Sequence, residues 1–316
     1  MNRRHLLALA AAPALPPLQA QQAPLRLVVP FTPGTGIDLI ARTVGPKLAE
    51  RLGRPVVVDN RPGASGNLGT EAVVRAAPDG STLLVTVNTL VMNRALYPLL
   101  SFDPVKDLDP VTLTSRGQLL LVVRGASGMV SVADLLARAR ARPGALNYAS
   151  PGNGTPHHLA MELLKSRAQI YVTHIPYRGT APALTDLLGG QVDLMFLPIH
   201  VALPHVRSGQ LRALAIGSPE PHPLLPDTPP LRRQGLGDMD LDMWYGVLAP
   251  AGTPRGVVDR INHELKGILD LTDIKVAFES QGMIPAHSTP AQFRQLLEQD
   301  AVRWAALIRA QGIRPD

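Results

Sequence analysis

The sequence predicts an α/β protein of two lobes, and three observations carry that expectation. Short continuous apolar runs alternate with segments of helical period, beginning with Leu25 to Val29 and the pattern over 37–52. The alternation restarts after Leu119-Leu120-Leu121-Val122-Val123, which implies a second sheet, because one sheet holding every strand would be unusually wide. A late strand, Trp244 to Pro250, follows the second block and precedes three helical segments, so the chain is expected to return to its first lobe. Crossings near 122 and 246 give a first lobe of 24–121 plus 247–316 and a second of 122–246. The cleft between two such lobes is the default ligand site.

Each element has a local reason. The apolar strand 25–29 stops at Pro30, and a helix over 37–52 ends at Gly53. Pro55 to Val58 is a second strand, 60–66 a loop, and a helix runs from there to about Ala76. The turn Pro78-Asp79-Gly80 leads into a strand from Thr82 to Val87. Ser131-Val132-Ala133-Asp134 has the form of a capping box and opens a helix to Arg142, closed by Pro143-Gly144. Then follow strand 147–150, helix 156–167, strand 170–175, helix 181–188 and strands 191–196 and 211–216. Helices over 254–270, 272–281 and 290–310 finish the chain. Continuous apolar strands between helices imply parallel sheets covered on both faces.

Composition narrows the function. With 45% hydrophobic and 18% charged residues, a chain of 316 residues can bury a sizeable core. Absence of cysteine excludes disulfides, thiolate metal sites, a cysteine nucleophile and a lipid-modified cysteine anchor. The formal charge is +6, yet no run of five like charges and no aromatic–basic interleaving occurs. That argues against nucleic acid and suits acidic small molecules. Arg3 and Arg4, an apolar stretch from Leu6 to Leu15 and a small-residue end at Ala20 form an export-signal pattern over 1–20, compatible with twin-arginine export.

Three loops between strand and helix carry the candidate chemistry. The first holds Thr32, Gly34, Thr35 and Gly36, with Asp38 placed as a structural cap of the following helix. A first helical turn offers free N–H groups and a positive dipole end, and glycine lets backbone approach an anion. The dinucleotide pattern fails at Leu39, and the P-loop pattern fails for want of Gly-Lys-Ser/Thr. The second loop holds Ser150, Gly152, Asn153 and Thr155, and the third holds Tyr177 and Arg178. Phe31, Asn88 and His158 complete the candidate set. Facing loops in both lobes would clamp a small anion.

Other chemistry is poorly supported. His158 and Glu162 share a helix face, but no third ligand or His-Glu-x-x-His pattern accompanies them, so no metal or cofactor is expected. Gly63-Ala64-Ser65-Gly66 lacks a nucleophile elbow, and no acid–base pair emerges, so no catalytic residues are assigned. Asp193, inside the apolar run Gln191 to Phe196, is either a hydrogen-bonded support of a nearby loop or a ligand contact at the cleft.

In order and spacing, these segments resemble the substrate-binding receptors of tripartite tricarboxylate transporters, the Bug family. The resemblance rests on Val29 to Asp38 with Ala41-Arg42, Val57 to Asn67 and Ala77 to Gly80. It continues through Asn147 to Ala160, Pro176 to Gly179 and Gly190 to Asp193, and ends with Trp244 to Gly246 and Ala249 to Pro254. It implies a type II periplasmic-binding-protein fold with two crossing strands as hinge. It implies an exported periplasmic receptor, expected as a monomer, for a dicarboxylate, an acidic amino acid or an aromatic acid. Its partners would be membrane transporter subunits or, alternatively, a sensor protein; an enzyme on the same scaffold is the remaining alternative. One carboxylate would be held by amides of 31–36 and 150–155 with bridging waters, and Asp193 would watch the distal end. Many members carry Gly-Gly where this chain has Gly34-Thr35, which implies a stiffer loop with an added hydroxyl.

Overall fold

The computed structural model describes residues 23–237, 239 and 241–314; the expected export segment lies outside them. Two sheets form the two lobes. The first has six strands in the order β11 (Ile284–Pro285), β4 (Leu108–Gly117), β10 (Met243–Pro250), β3 (Thr82–Val87), β1 (Leu25–Val29) and β2 (Val56–Asn60). The second has five, β7 (Thr173–Pro176), β6 (Asn147–Ser150), β8 (Leu194–Pro198), β5 (Leu119–Arg124) and β9 (Leu211–Ile216).

The sheets are mixed rather than parallel throughout. β1, β2 and β3 are parallel, as are β6, β7 and β8. The strand that enters each sheet from the other lobe runs against its neighbours: β5 against β8 and β9, β10 against β3 and β4. This is the geometric consequence of crossing. A chain arriving from the cleft side must run opposite to strands whose carboxyl ends face the cleft.

The crossings lie elsewhere than at 122 and 246. β4 ends at Gly117 and β5 begins at Leu119, so the first crossing is at Gln118, and Leu119 to Leu121 belong to the second sheet. The return spans 217–242, and Met243 to Gly246 already pair with β4 in the first sheet. The continuous apolar character of 119–123 hid the crossing, since burial in either lobe demands the same residues.

Helices cover both faces. The first lobe carries α1 (Gly36–Leu52), α2 (Asn67–Val74), α3 (Thr89–Leu96), α8 (Arg255–Leu269), α9 (Thr272–Ser280) and α10 (Pro290–Ala310). The second carries α4 (Val132–Ala141), α5 (Pro156–Ala168), α6 (Thr180–Gly189) and α7 (Ile199–Arg207). α10 starts in a full capping box between Thr289 and Gln292 and brings the chain end back onto lobe one. There Phe293 meets Trp244 edge to face at 5.2 Å, and the Trp244 indole donates to the buried Asp300 carboxylate at 2.6 Å. The Ser131 box of α4 also forms, with Ser131 Oγ accepting from Asp134 N at 3.1 Å.

Helices α1 and α3 follow the carboxyl ends of β1 and β3, and α5, α6 and α7 follow those of β6, β7 and β8. Five helix N-termini therefore face one cleft, the arrangement in which open α/β sheets hold ligands. Asp193 sits at the opposite, amino ends of these strands. Its Oδ2 accepts from Asn147 N at 2.8 Å, and its own amide donates to Asn147 Oδ1 at 3.0 Å. The reciprocal bracket aligns β8 with β6 and places Asp193 on the far side of the sheet from the cleft; the expected contact with a ligand's distal end is not what this carboxylate makes. Asp193→Ala is predicted to lower the melting temperature through a stability loss on the order of 1 kcal/mol, from a partly buried Asn147 amide left without its acceptor. Ligand affinity of the folded variant should stay within about twofold, as titration calorimetry would show.

Candidate functional site

The two principal loops are built on one plan. In the first, the Thr35 hydroxyl donates back to Thr32 O at 3.1 Å, and Gly34 N donates to Asp38 Oδ2 at 2.9 Å. In the second, the Thr155 hydroxyl donates back to Gly152 O at 2.8 Å, and Gly154 N donates to His158 Nδ1 at 3.0 Å. Gly34 and Gly154 both take the left-handed conformation that lets the loop double back. Thr35 and Thr155 occupy the N-cap positions of α1 and α5, yet neither side chain caps the helix. Asp38 and His158, one turn further on, instead secure the loop. The first-turn amides of both helices are thereby left for something other than the protein.

The side chains that secure the loops differ in charge. Asp38 is buried and accepts from Arg42 Nε at 3.0 Å and from Asn60 Nδ2 at 2.9 Å in addition to Gly34. Burial alone would raise its pKa. The hydrogen bonds from Arg42, Gly34 and Asn60, with the Arg42 charge, outweigh that and hold it below the ordinary carboxylate value. His158 must be neutral at Nδ1 to accept from Gly154. Burial, and then the Lys165 charge, push it down to about 4. It stacks on His174 with ring centroids 4.2 Å apart, and His174 stacks on Tyr148 at 4.6 Å. His174 Nε2 meets Ser150 Oγ at 2.7 Å, and the Tyr148 hydroxyl donates to Glu162.

Between the lobes the five helix starts enclose a cavity of about 260 Å³. Its wall includes Gly36 and Ile37 of α1, Thr89 of α3, Pro156 and His157 of α5, Thr180 and Ala181 of α6, and His200 and Val201 of α7. None of these helices has a side-chain N-cap bond. Among the described residues no Asp, Glu, Lys or Arg lines the cavity, while Val87, Leu184, Met243 and the Tyr245 ring supply apolar surface. Each helix start contributes roughly half a positive charge, so the cavity is electropositive without a cationic side chain. The lobes touch around it: Ser65 Oγ donates to Asn153 O at 3.1 Å, and Leu96 packs where a side chain at Gly154 would lie.

The sequence-predicted residues divide into three groups. Phe31, Thr32, Gly34, Thr35, Gly36 and Thr155 line the cavity. Ser150, Gly152, Asn153 and His158 shape the second loop from behind: Ser150 Oγ bonds Gly152 and His174, and Gly152 O anchors Thr155. Asn88 is buried at the N-cap position of α3, donating to Asp242 O at 3.4 Å. The remainder face elsewhere. The Tyr177 hydroxyl donates to Asp186 at 2.7 Å, Arg178 is exposed and outside the cavity wall, and Asp193 lies beyond the sheet. Asp38, expected as a cap of the following helix, accepts from Gly34 N in the loop before it.

Sequence reading missed Thr89, His157, Thr180, His200 and Tyr245 as wall residues. α3 and α7 start with no glycine loop, directly after β3 and β8, so Val87-Asn88-Thr89 and Pro198-Ile199-His200 gave no anion-loop signal. The usable signal was the run of paired helix starts on parallel strands, not any one motif.

This geometry defines a two-lobed ligand-binding protein of the periplasmic-binding-protein fold. Residues 40–313 match the tripartite tricarboxylate transporter family receptor, and the chain belongs to that family. Solved structures agree. The periplasmic binding protein BugD is 30% identical with a TM-score of 0.87, covering 93% of this chain and 99% of its own. Rpa4515 of R. palustris with adipate is 32% identical with a TM-score of 0.88, covering 92% and 98%. MatC from Rhodopseudomonas palustris with bound malate is 32% identical with a TM-score of 0.83, covering 90% and 98%.

Acid should unpick the second loop before the first. The folded chain takes up a proton at His158 near 4, whereas an unperturbed imidazole does so near 6.5. The unfolded state therefore binds more protons between those values, and stability falls as pH drops through that window. For His158 the loss is on the order of 3 kcal/mol. His158→Asn keeps an acceptor for Gly154 N and does not titrate, so its melting temperature should fall less between pH 6.5 and 4 than that of the unmodified protein. Equal slopes would contradict the role given to His158.

Proposed function

We propose that this chain is a periplasmic receptor that captures a small carboxylate between its lobes and presents it to the membrane subunits of a tripartite tricarboxylate-type transporter. One observation carries the reading: five uncapped helix N-termini converge on a cavity whose described wall residues include no Asp, Glu, Lys or Arg. Backbone amides and helix dipoles there would favour an anion, and phosphate or carboxylate oxygens are the common guests of such ends. The amides of Gly36 and Ile37, with that of His157, are the proposed first contacts. Phe31, Thr32 and Thr155 frame them, directly or through waters.

The apolar wall fits a ligand with a hydrocarbon body. Adipate and malate in the related structures are carboxylates of this size class. The described residues of the wall offer no carboxylate for an α-ammonium group, so an acidic amino acid is disfavoured relative to a non-aminated acid. Capture is the reading that family membership supports, and among the described residues of the wall the ionisable groups are His157, His200 and Tyr245. Lobe closure about the crossings at Gln118 and 217–242 would seal the ligand from water.

Titration calorimetry of ligand-stripped protein should detect binding of adipate or malate and none of the corresponding diamides. Ala in place of Gly36 would put a Cβ 3.0 Å from both the His200 ring and the Tyr245 hydroxyl, and is expected to weaken carboxylate binding by about tenfold or more. Binding of the diamides with equal strength would overturn the anion reading.

A further inference from the structure

The turn Gly63-Ala64-Ser65-Gly66 lies outside the cavity wall, yet its backbone is strained. All four residues have positive φ, including Ala64 at 46° and Ser65 at 54°, a conformation that is costly for a residue with a Cβ. Such strain persists only where the surroundings impose it, and it clusters at clamps and switches. Here lobe one imposes it. Asn93 Nδ2 of α3 donates to Ser65 O at 2.9 Å, and the Thr70 hydroxyl of α2 donates to Gly66 O at 2.9 Å. So held, Ser65 Oγ reaches out of its own lobe and donates to Asn153 O of the second loop at 3.1 Å. A serine hydroxyl has one hydrogen, and a carbonyl only accepts. The 3.0 Å contact between Ser65 Oγ and Tyr97 Oη is therefore donated by the tyrosine.

One helix organises this contact. Asn93 of α3 grips the turn, Leu96 packs where a Cβ at Gly154 would lie, and Tyr97 directly follows the last turn. The same helix begins at the cavity with Thr89. On the other lobe, Asn153 stands between Gly152, whose carbonyl anchors Thr155, and Gly154, whose amide is held by His158. A pull on the Asn153 carbonyl thus acts on the start of α5. We infer that Ser65 is a positioning residue for ligand capture: a latch that holds the second loop against lobe one, raises the closed fraction and slows ligand escape without touching the ligand. The inference rests on the reading of the cleft as one that closes on its ligand. Apparent affinity scales with the fraction of molecules in the competent state, so a bond made only on closure sets affinity from outside the site.

The chain has no cysteine, so one introduced at an exposed helical position of each lobe gives a defined pair of spin labels. Pulsed electron spin resonance of the ligand-free protein should show Ser65→Ala and Ser65→Gly shifted towards longer distances between the lobes. Stopped-flow binding of adipate or malate should show affinity about threefold to tenfold weaker, carried by faster dissociation, with association kept within about twofold. Glycine adopts positive φ freely, so a Ser65→Gly variant that melts no lower than the unmodified protein and still opens separates the latch from folding. Tyr97→Phe should open the unmodified protein and add nothing in the Ser65→Ala background, because it acts through Ser65. Unchanged distances and dissociation rates in both Ser65 variants would overturn the proposal. So would weaker binding with unchanged lobe spacing, which would place Ser65 at the ligand instead. If the unmodified protein binds neither adipate nor malate, the carboxylate reading fails, while the distances in the ligand-free variants still decide the latch.

Discussion

Two threonine hydroxyls that could have capped helices do not, and the rest of the site depends on that. An N-cap threonine ordinarily accepts from an amide in the first turn, which satisfies the helix internally. Thr35 and Thr155 turn back and donate to carbonyls of their own loops. The loops are held by a different device, a side chain one turn along that accepts the amide of a left-handed glycine. The helix ends remain open towards the cleft, and the sheets aim them at each other. A protein folded this way has polar groups to satisfy in its cavity and no side chain to do it, so an anion completes the structure.

The two lobes solve the same problem with different chemistry. Asp38 is a charged acceptor kept ionised by Arg42 and Asn60, so the first loop persists across a wide pH range. His158 is a neutral acceptor buried in a stack with His174 and Tyr148, so the second loop depends on an imidazole staying unprotonated. A carboxylate at Asp38 sits outside the cavity wall and is matched by Arg42, which keeps its field from opposing an incoming anion. A second carboxylate in the other lobe would have needed a second arginine. The neutral histidine avoids both charges.

Much of this was legible in the sequence where local chemistry is decisive. β1, β3, β6, β9 and α10 occur at the bounds that apolar runs, glycines and caps imply. β4 was not legible, because Asp109, Pro110, Thr112, Thr114, Ser115 and Arg116 break the apolar run; Thr112 is instead reconciled with burial by bonds to Leu113 O and Ser288 O. α3 and α7 were hidden because they leave their strands without a glycine. The glycine loops were found, and Phe31, Thr32, Gly34, Thr35, Gly36 and Thr155 line the cavity, whereas Ser150 and His158 look like contacts in a linear motif but bond within the second loop and its backing. Asp193 shows the same limit: a carboxylate beside an apolar strand does not reveal which end of that strand meets the cleft.

The central claim is that backbone amides at open helix ends hold the ligand's anion. A crystal structure of the protein with a bound dicarboxylate tests it most directly. The account predicts carboxylate oxygens within hydrogen-bond reach, directly or through one water, of the amides of Gly36 and Ile37 on one lobe and His157 on the other. A carboxylate paired instead with an arginine or lysine side chain, or lying outside the cavity between α1 and α5, would contradict it.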